Sequence, residues 1–546
     1  MTFIDPQTAR PGAALDDAHV GHIQGAFGTI RQGDVAPRRG WRARLKTLLA
    51  IIGPGLIVMV GDNDAGAFGT YTQAGQNYGT SLLWTLLLLV PVLYVNQEMV
   101  LRLGAVTRVG HARLILERFG KFWGAFSVID LFLLNALTIV TEFIGISLSL
   151  DYLGLPRQMG VALSGILVMA AASTGSFRRF ERFAMILVAG SLLLVPVFLT
   201  IHPPAGQIAH DFLIPGLPRD AKLSDVMLLI IGIVGTTVAP WQLFFQQSYV
   251  IDKHITPRFI RYERADLWLG IGLVIIGAVA MMAFSAAVFD GTPEFGGFTD
   301  AGAVAAGLGK YAGKTAGVLF AIALIDACII GAAAVSLSTA YAIGDVLSLR
   351  HSLHRKASDA KAFYGVYCGL VAIAVALVLT PGTPLGLLTN AVQSLAGVLL
   401  PSATVFLLLL CNDRAVLGPW VNSRLLNLFT GVVIAVLVML SVILTAAVLF
   451  PDIDEKQIFG VLVGGLGVTL SIGLMLMLKE DEKPVAIERV DRVGRDNWLM
   501  PPLDQLAPAR ITPLTKGWMG VLRLYLLVAG GMVLARIIQL AVAGDG

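Results

Sequence analysis

An apolar run broken by acids constrains this chain more than any other feature. Residues 53–75 read GPGLIVMVGDNDAGAFGTYTQAG, an apolar helix that changes character within one turn. Gly61-Asp62-Asn63-Asp64-Ala65-Gly66 sets two carboxylates, a carboxamide and two glycines where bilayer depth is greatest. Water cannot satisfy charges at that depth, so such groups face a cavity that takes a ligand. Gly61 and Gly66 let the helix unwind and free backbone carbonyls as further oxygen donors. A bound cation is the simplest occupant.

The remainder of the sequence supports a membrane setting. It is 56% hydrophobic and only 14% charged, with repeated apolar runs of about 20 residues, enough to span a bilayer. The reading is an all-α polytopic membrane protein. The formal net charge of +4 does not point to nucleic acid, because the basic residues gather in alternate loops. Cys328, Cys368 and Cys411 show no metal-ligand spacing and no disulfide framework. Residues 1–45 are polar, with Arg38, Arg39, Arg42 and Arg44 near their end, and read as a disordered cytoplasmic tail rather than a cleaved signal.

Spans are expected near 46–75, 81–102, 122–149, 158–174, 182–201, 225–248, 265–289, 314–344, 362–380, 386–411, 425–450 and 457–478. With the tail inside, the inner connections include RLGAVTRVGHARLILERFGK, SFRRFERF and DKHITPRFIRYER, and the outer ones include FDGTPEFGGFTD and FPDIDEKQ. That bias fits the positive-inside rule and predicts a cell-membrane protein with a cytoplasmic N-terminus. Residues 479–516 read as a cytoplasmic linker. Residues 517–546 read as a further C-terminal span or interfacial helix, interrupted by Arg523 and Arg536.

The sixth span, GIVGTTVAPWQLFFQQS, is broken like the first. Gly235-Thr236-Thr237 and Ala239-Pro240 interrupt it, and proline removes a backbone donor while clashing with the preceding turn. Broken helices five spans apart predict two inverted five-helix repeats, 46–201 and 225–411, with 425–478 peripheral and a site where the breaks meet. This is the layout of a transporter.

Acids expected within the spans are Asp62, Asp64, Glu98, Asp130, Glu142 and Asp326, with no Lys or Arg deep enough to pair with most of them. Glu98 pairs locally with Arg102 at i+4. The imbalance predicts a cation as substrate. All eight histidines fall in tails or loops, and neither break offers a thiol. The remaining donors are Asp64 and Asp62, the Gly61 carbonyl, Thr236 and Gln242, an oxygen set suited to Mg2+, Ca2+ or Mn2+. Asp64 also fits a helix cap, Gln242 a partner for local carbonyls, and Trp241 wall packing. Asp130, Glu142 and Asp326 suit an ion pathway or interhelical hydrogen bonds equally well.

Over residues 45–480 the sequence resembles the NRAMP family of divalent metal transporters. GPG followed by DAG and QAG, then RLGAVT, EFIG and NDRAVLGPWVN carry the resemblance. It implies the LeuT-like fold. Asp64-Ala65-Gly66-Ala67 stands where the family has Asp-Pro-Gly-Asn, so the Asp is kept and the Asn ligand is lost. Ala239-Pro240-Trp241 stands for Met-Pro-His, removing the thioether that favours transition metals and the His linked to proton transfer. Glu142 matches the family's acid, Ile139 replaces an Asp of the proton route, and Gln393 matches a Gln that approaches the metal. The pattern resembles the NRAMP-related magnesium transporter branch, whose larger site holds an ion that keeps much of its hydration and lacks proton coupling.

The expected function is alternating-access transport of Mg2+, with Mn2+ also carried, in which Ala67, Ala239 and Trp241 set selectivity. Proton-coupled Mn2+ or Fe2+ transport is the alternative, and a Na+-coupled amino-acid symporter is a third. No catalytic constellation supports an enzyme. No cofactor beyond the transported ion and no nucleic acid partner are expected, and the protein reads as a monomer or weak oligomer in the bilayer.

Overall fold

In the computed structural model, residues 17–218, 221–380, 385–449 and 492–507 are described, with scattered positions between 456 and 535. Most of the expected twelfth span, and most of the segment 517–546, lie outside the described residues. Among the described residues eight helices are long and apolar enough to cross a membrane, or nine with one bent pair.

Three helices make up the first stretch: α1 (Trp41–Ile51), α2 (Pro54–Val60) and α3 (Ala65–Tyr78). There follow α4 (Trp84–Thr107), α5 (His111–Phe119), α6 (Lys121–Leu153), α7 (Arg157–Ala172), α8 (Phe177–Gly190), α9 (Leu194–Ile201) and α10 (Ala205–Leu213). The second stretch holds α11 (Leu223–Thr237), α12 (Pro240–Asp252), α13 (Ile260–Phe289), α14 (Ala301–Tyr311), α15 (Lys314–Val346), α16 (Lys361–Leu379) and α17 (Leu385–Asn412). A short α18 (Arg414–Leu417) and α19 (Arg424–Leu449) follow.

Both expected breaks are present. Between α2 and α3 the chain leaves the helix at Gly61 and re-enters after Asp64, which is extended and caps α3 by accepting from Ala67 N at 3.0 Å. Between α11 and α12 only Val238 and Ala239 intervene, both extended, and Pro240 takes the first position of α12. Proline is tolerated there because that N–H has no helical partner. The half-helices are held from outside: α13 packs on both α2 and α3, while α12 packs on α4 and α15. Gly55 and Gly270 permit the α2–α13 crossing, since a Cβ on Gly55 would lie 2.6 Å from Leu267 N.

Two expectations need correction. The first span, expected to run on from 46, is bent near its start. Residues 41–51 form a separate helix bent 54° from α2, turning at Gly53, whose φ of 153° suits glycine. With Trp41, Leu45 and Leu49 exposed beside Arg42, Arg44 and Lys46, α1 has the composition of an interfacial helix. The tail is also not a disordered stretch up to 45. Residues 17–40 form a 3-10 turn at Asp17–His19 and an antiparallel hairpin, β1 (Ile23–Gln24) with β2 (Thr29–Ile30). Ile23 and Ile30 are buried in the main apolar cluster. A polar composition hid two apolar anchors and the backbone hydrogen bonds that dock them.

Part of the linker is docked as well. Met500 N donates to Val106 O at 3.1 Å, and the Arg495 guanidinium lies 3.9 Å from the Trp420 ring centre.

Candidate metal site

The two breaks meet. Gln242 Nε2, in the first turn of α12, donates to Asp62 Oδ1, and Gln97 Nε2 on α4 donates to Gln242 Oε1 at 2.9 Å. This chain of amides fixes the orientation of Gln242 and turns one Asp62 oxygen toward α12. Tyr71 on α3 shares a 2.7 Å hydrogen bond with Thr237, at the end of α11. Trp241 is 1% exposed and its ring faces Gly61, 3.6 Å from where a Cβ would stand. Wall packing describes it well.

Asp64 and Glu142 are in hydrogen-bond contact. Glu142 Oε2 also accepts from Ala65 N at 3.2 Å, tying α6 to the first turn of α3. Asp62, Asp64 and Glu142 are 1%, 5% and 0% exposed, and among the described residues no basic side chain forms an ion pair with any of them. Four side-chain oxygens around the breaks are buried without a hydrogen-bond partner: Asp62 Oδ2, Asn63 Oδ1, Glu142 Oε1 and Thr236 Oγ1. Buried acceptors are nearly always satisfied in folded proteins. Asp62 Oδ2 and Thr236 Oγ1, one on each broken span, are orphans that an oxygen-coordinated cation would relieve. A void of about 40 Å³, lined by Val60, Asn63, Phe68 and Ala327, adjoins the junction.

Other expected residues lie apart. Asp130 on α6 meets Ser402 at 3.4 Å in a small void with Pro240, Phe244 and Phe406. Asp326 on α15 stands against Gly190, with one oxygen unpartnered. The Gln393 side chain lies outside the described residues. Ala67 and Ala239 are buried at the starts of α3 and α12, leaving only methyl groups there. Glu98 does pair with Arg102 at 3.3 Å, and Arg264 adds a second contact at 2.6 Å. Among the described residues no three His, Cys, Asp or Glu side chains converge as a metal-holding group. The arrangement is acids with neutral oxygens and no imidazole, and the Cys328 thiol on α15 lies against Glu142.

Sequence reasoning did not reach Gln97 or Tyr71. Gln97 sits beside Glu98 in an apolar helix, and a buried amide in such a span was the available signal. A latch at the end of α2 was also missed. Lys253 Nζ contacts Glu181 Oε1 at 2.6 Å and donates to Ile51 O and Ile52 O at 2.5 and 2.9 Å. Asp266 accepts from Gly53 N and Gly55 N at 3.1 and 2.6 Å.

A family profile described as natural resistance-associated macrophage protein-like matches residues 55–447. A divalent metal cation transporter MntH of Ralstonia nicotianae is 29% identical over 408 residues, 72% of this chain and 89% of the relative. The protein of the same name from Burkholderia ambifaria is 27% identical, over 80% and 97% of the two chains. Among solved structures, a manganese transporter of Eremococcus coleocola superposes with a TM-score of 0.62 at 21% identity. That superposition covers 81% of this chain and 96% of the other, and it shows a shared LeuT-like fold.

Proposed function

The chain belongs to the natural resistance-associated macrophage protein-like (NRAMP) family, and from that premise we propose that it carries Mg2+, with Mn2+ also accepted, through the junction of its broken helices. It is a membrane transporter of divalent metal cations. The finer reading places this member with the magnesium-carrying branch. One observation carries it: every donor assigned to the ion is an oxygen, and two of them, Asp62 Oδ2 and Thr236 Oγ1, are buried without hydrogen-bond partners. Mg2+ takes oxygen ligands and gives up its water reluctantly. Methyl groups at Ala67 and Ala239 leave room for that water, whereas a thioether would offer Mg2+ little.

Asp64 and Asp62 supply charge, Gly61 a carbonyl, and Thr236 and Gln242 neutral oxygens, with Gln393 joining from α17. Residues 46–201 and 225–411 act as the two repeats that rock about this point, with the N-terminus cytoplasmic. Uptake then follows the ion gradient and membrane potential without proton movement, since Trp241 and Ile139 carry no proton.

A second reading, proton-coupled Mn2+ or Fe2+ transport, has its own support. The similar proteins are named manganese or divalent metal cation transporters, and on names alone this reading is favoured over the first. The Asp64–Glu142 contact is also the chemistry of a shared proton. Uptake of Mg2+, Ca2+ and Mn2+ into proteoliposomes carrying an internal pH dye separates the two. Mg2+ uptake without lumen acidification supports the first reading. Metal-dependent proton influx with fixed stoichiometry, together with exclusion of Mg2+, establishes the second.

A further inference from the structure

Away from the ion junction, three segments distant in sequence close around a cavity of about 230 Å³. They are the N-terminal segment 19–35 that carries the hairpin, residues 251–259 at the end of α12 and just after it, and residues 496–499 of the linker. All three were expected on the cytoplasmic side. Arg31, Arg108, Arg258 and His254 contribute to its wall, against two acids, Asp34 and Asp496. Asp34 is already committed, because Arg38 grips its two oxygens at 3.2 and 2.8 Å and holds its carboxyl below the usual carboxylate range. Arg258 is half committed, donating to Val35 O and Ala36 O at 2.6 and 3.1 Å.

Arg108 is the unusual member. It is partly buried just past the end of α4, its side chain has no hydrogen bond and no ion pair among the described residues, and burial lowers its guanidinium below the ordinary arginine range. The neighbouring Asp345 does not answer it, being paired with His351 at 3.1 Å. Arg108 and His254 also hold left-handed backbone, with φ of 54° and 65°, two of the four such non-glycine residues described. Backbone of that kind persists only when its surroundings enforce it, and it concentrates at ligand sites.

We propose that this cavity is a binding site for a compact phosphate-bearing anion, gripped by Arg108 and Arg31 and roofed by the N-terminal hairpin. A guanidinium fork matches phosphate oxygens two at a time. The volume falls below the roughly 300–1,000 Å³ of sites for drug-sized ligands, which suits a phosphate or pyrophosphate group and excludes an enclosed nucleotide. The group comes either from a soluble phosphate or from a lipid headgroup. Occupancy would pin the hairpin to the connection that follows α12.

The test uses the full-length protein in neutral detergent, in metal-free buffer, titrated calorimetrically with inorganic pyrophosphate, with dioctanoyl phosphatidic acid and with malonate. Arg108→Asn removes the charge and tolerates left-handed backbone, and Arg31→Gln changes an exposed side chain. Saturable binding of pyrophosphate identifies a soluble ligand, and binding of the lipid alone identifies a headgroup. In either case Arg108→Asn should weaken binding by about tenfold or more and Arg31→Gln by about threefold. Amide exchange over residues 18–34 should slow on saturation. The proposal is overturned if neither phosphate probe saturates, if malonate binds as tightly, or if Arg108→Asn binds as well as the parent with an unchanged melting temperature.

Discussion

Two groups of buried carboxylates in this molecule, the latch beside α2 and the junction of the helix breaks, are completed in opposite ways. At the end of α2, Glu181 and Lys253 are both fully buried and paired at 2.6 Å, and Asp266 takes two backbone N–H groups. At the helix breaks, Asp62, Asp64 and Glu142 are as deeply buried and, among the described residues, pair with no cation of the protein's own. Charge removed from water costs several kcal/mol per ion unless something answers it. The latch answers it internally and holds α2 in place. The junction leaves the answer to an arriving ion. Glu263 is the exception on the latch side, with neither oxygen partnered.

The largest effect should come from the junction. Asp64→Ala is expected to abolish metal uptake nearly completely while the protein stays folded and inserted. Asp62→Asn should lower uptake strongly and leave the melting temperature equal or higher, because it removes one of two neighbouring buried charges. Normal Mg2+ uptake by a monodisperse Asp64→Ala protein would remove the junction from the transport path.

The latch should respond in the opposite sense. Lys253→Met strands Glu181 and Asp266, and breaking one side of a buried pair costs about 3–5 kcal/mol. A well-packed double change, Lys253→Met with Glu181→Leu, should recover much of that loss. Thermal unfolding in detergent measures both variants. If Lys253→Met unfolds like the parent, the pair is not what holds α2.

The third effect is on selectivity. Ala67→Asn with Ala239→Met restores an amide and a soft thioether beside the break. Preference should shift toward Mn2+ or Cd2+ and away from Mg2+, and a tenfold shift needs only about 1.4 kcal/mol. Binding is measured alongside uptake, since the new ligands lack supporting contacts. A double variant that keeps its Mg2+ preference and gains no Cd2+ binding shows that these two methyl groups do not set the choice.

The same contrast explains what could be read from the sequence. The junction was legible because charge and helix breakers inside an apolar run violate a local pattern, and Gly61-Asp62 and Ala239-Pro240 announce themselves within a few residues. The latch was not. Glu181 and Lys253 sit in charged connections that read as ordinary inside loops, Asp266 falls at the start of the expected span 265–289, and only the fold brings them together. The N-terminal hairpin failed for a related reason, since its docking relies on backbone groups such as Ala26 N on Glu181, donating at 2.5 Å. Eight of the expected spans coincide with long apolar helices among the described residues because spans need only length and hydropathy, whereas the 54° bend near Gly53 goes with Lys253 capturing the carbonyls of Ile51 and Ile52.

The smallest effect completes the comparison with a carboxylate that is neither sealed nor waiting. Glu294 lies in the connection before α14, where Lys310 Nζ at 2.8 Å and the Tyr311 hydroxyl at 2.5 Å both donate to it. Those hydrogen bonds, Lys310 first, hold its carboxyl at about 2, below the ordinary glutamate value of 4.5. A depressed carboxyl contributes stability that is complete above its ordinary value and is lost as pH falls toward the folded one. The same contact raises Lys310, so its share is present below the ordinary lysine value and lost as pH rises through the folded one. The pair therefore acts fully at neutral pH and fades first toward acid, between about 4.5 and about 2. Both side chains are well exposed, 61% for Lys310 and 39% for Glu294, so water and salt screen the attraction. Glu294→Gln should lower the melting temperature at pH 7 by about 1 °C or less, with the gap to the parent closing at pH 3. A gap that widens in acid, or one as large as that of Lys253→Met, would mean that burial is not what separates the latch from an ordinary surface pair.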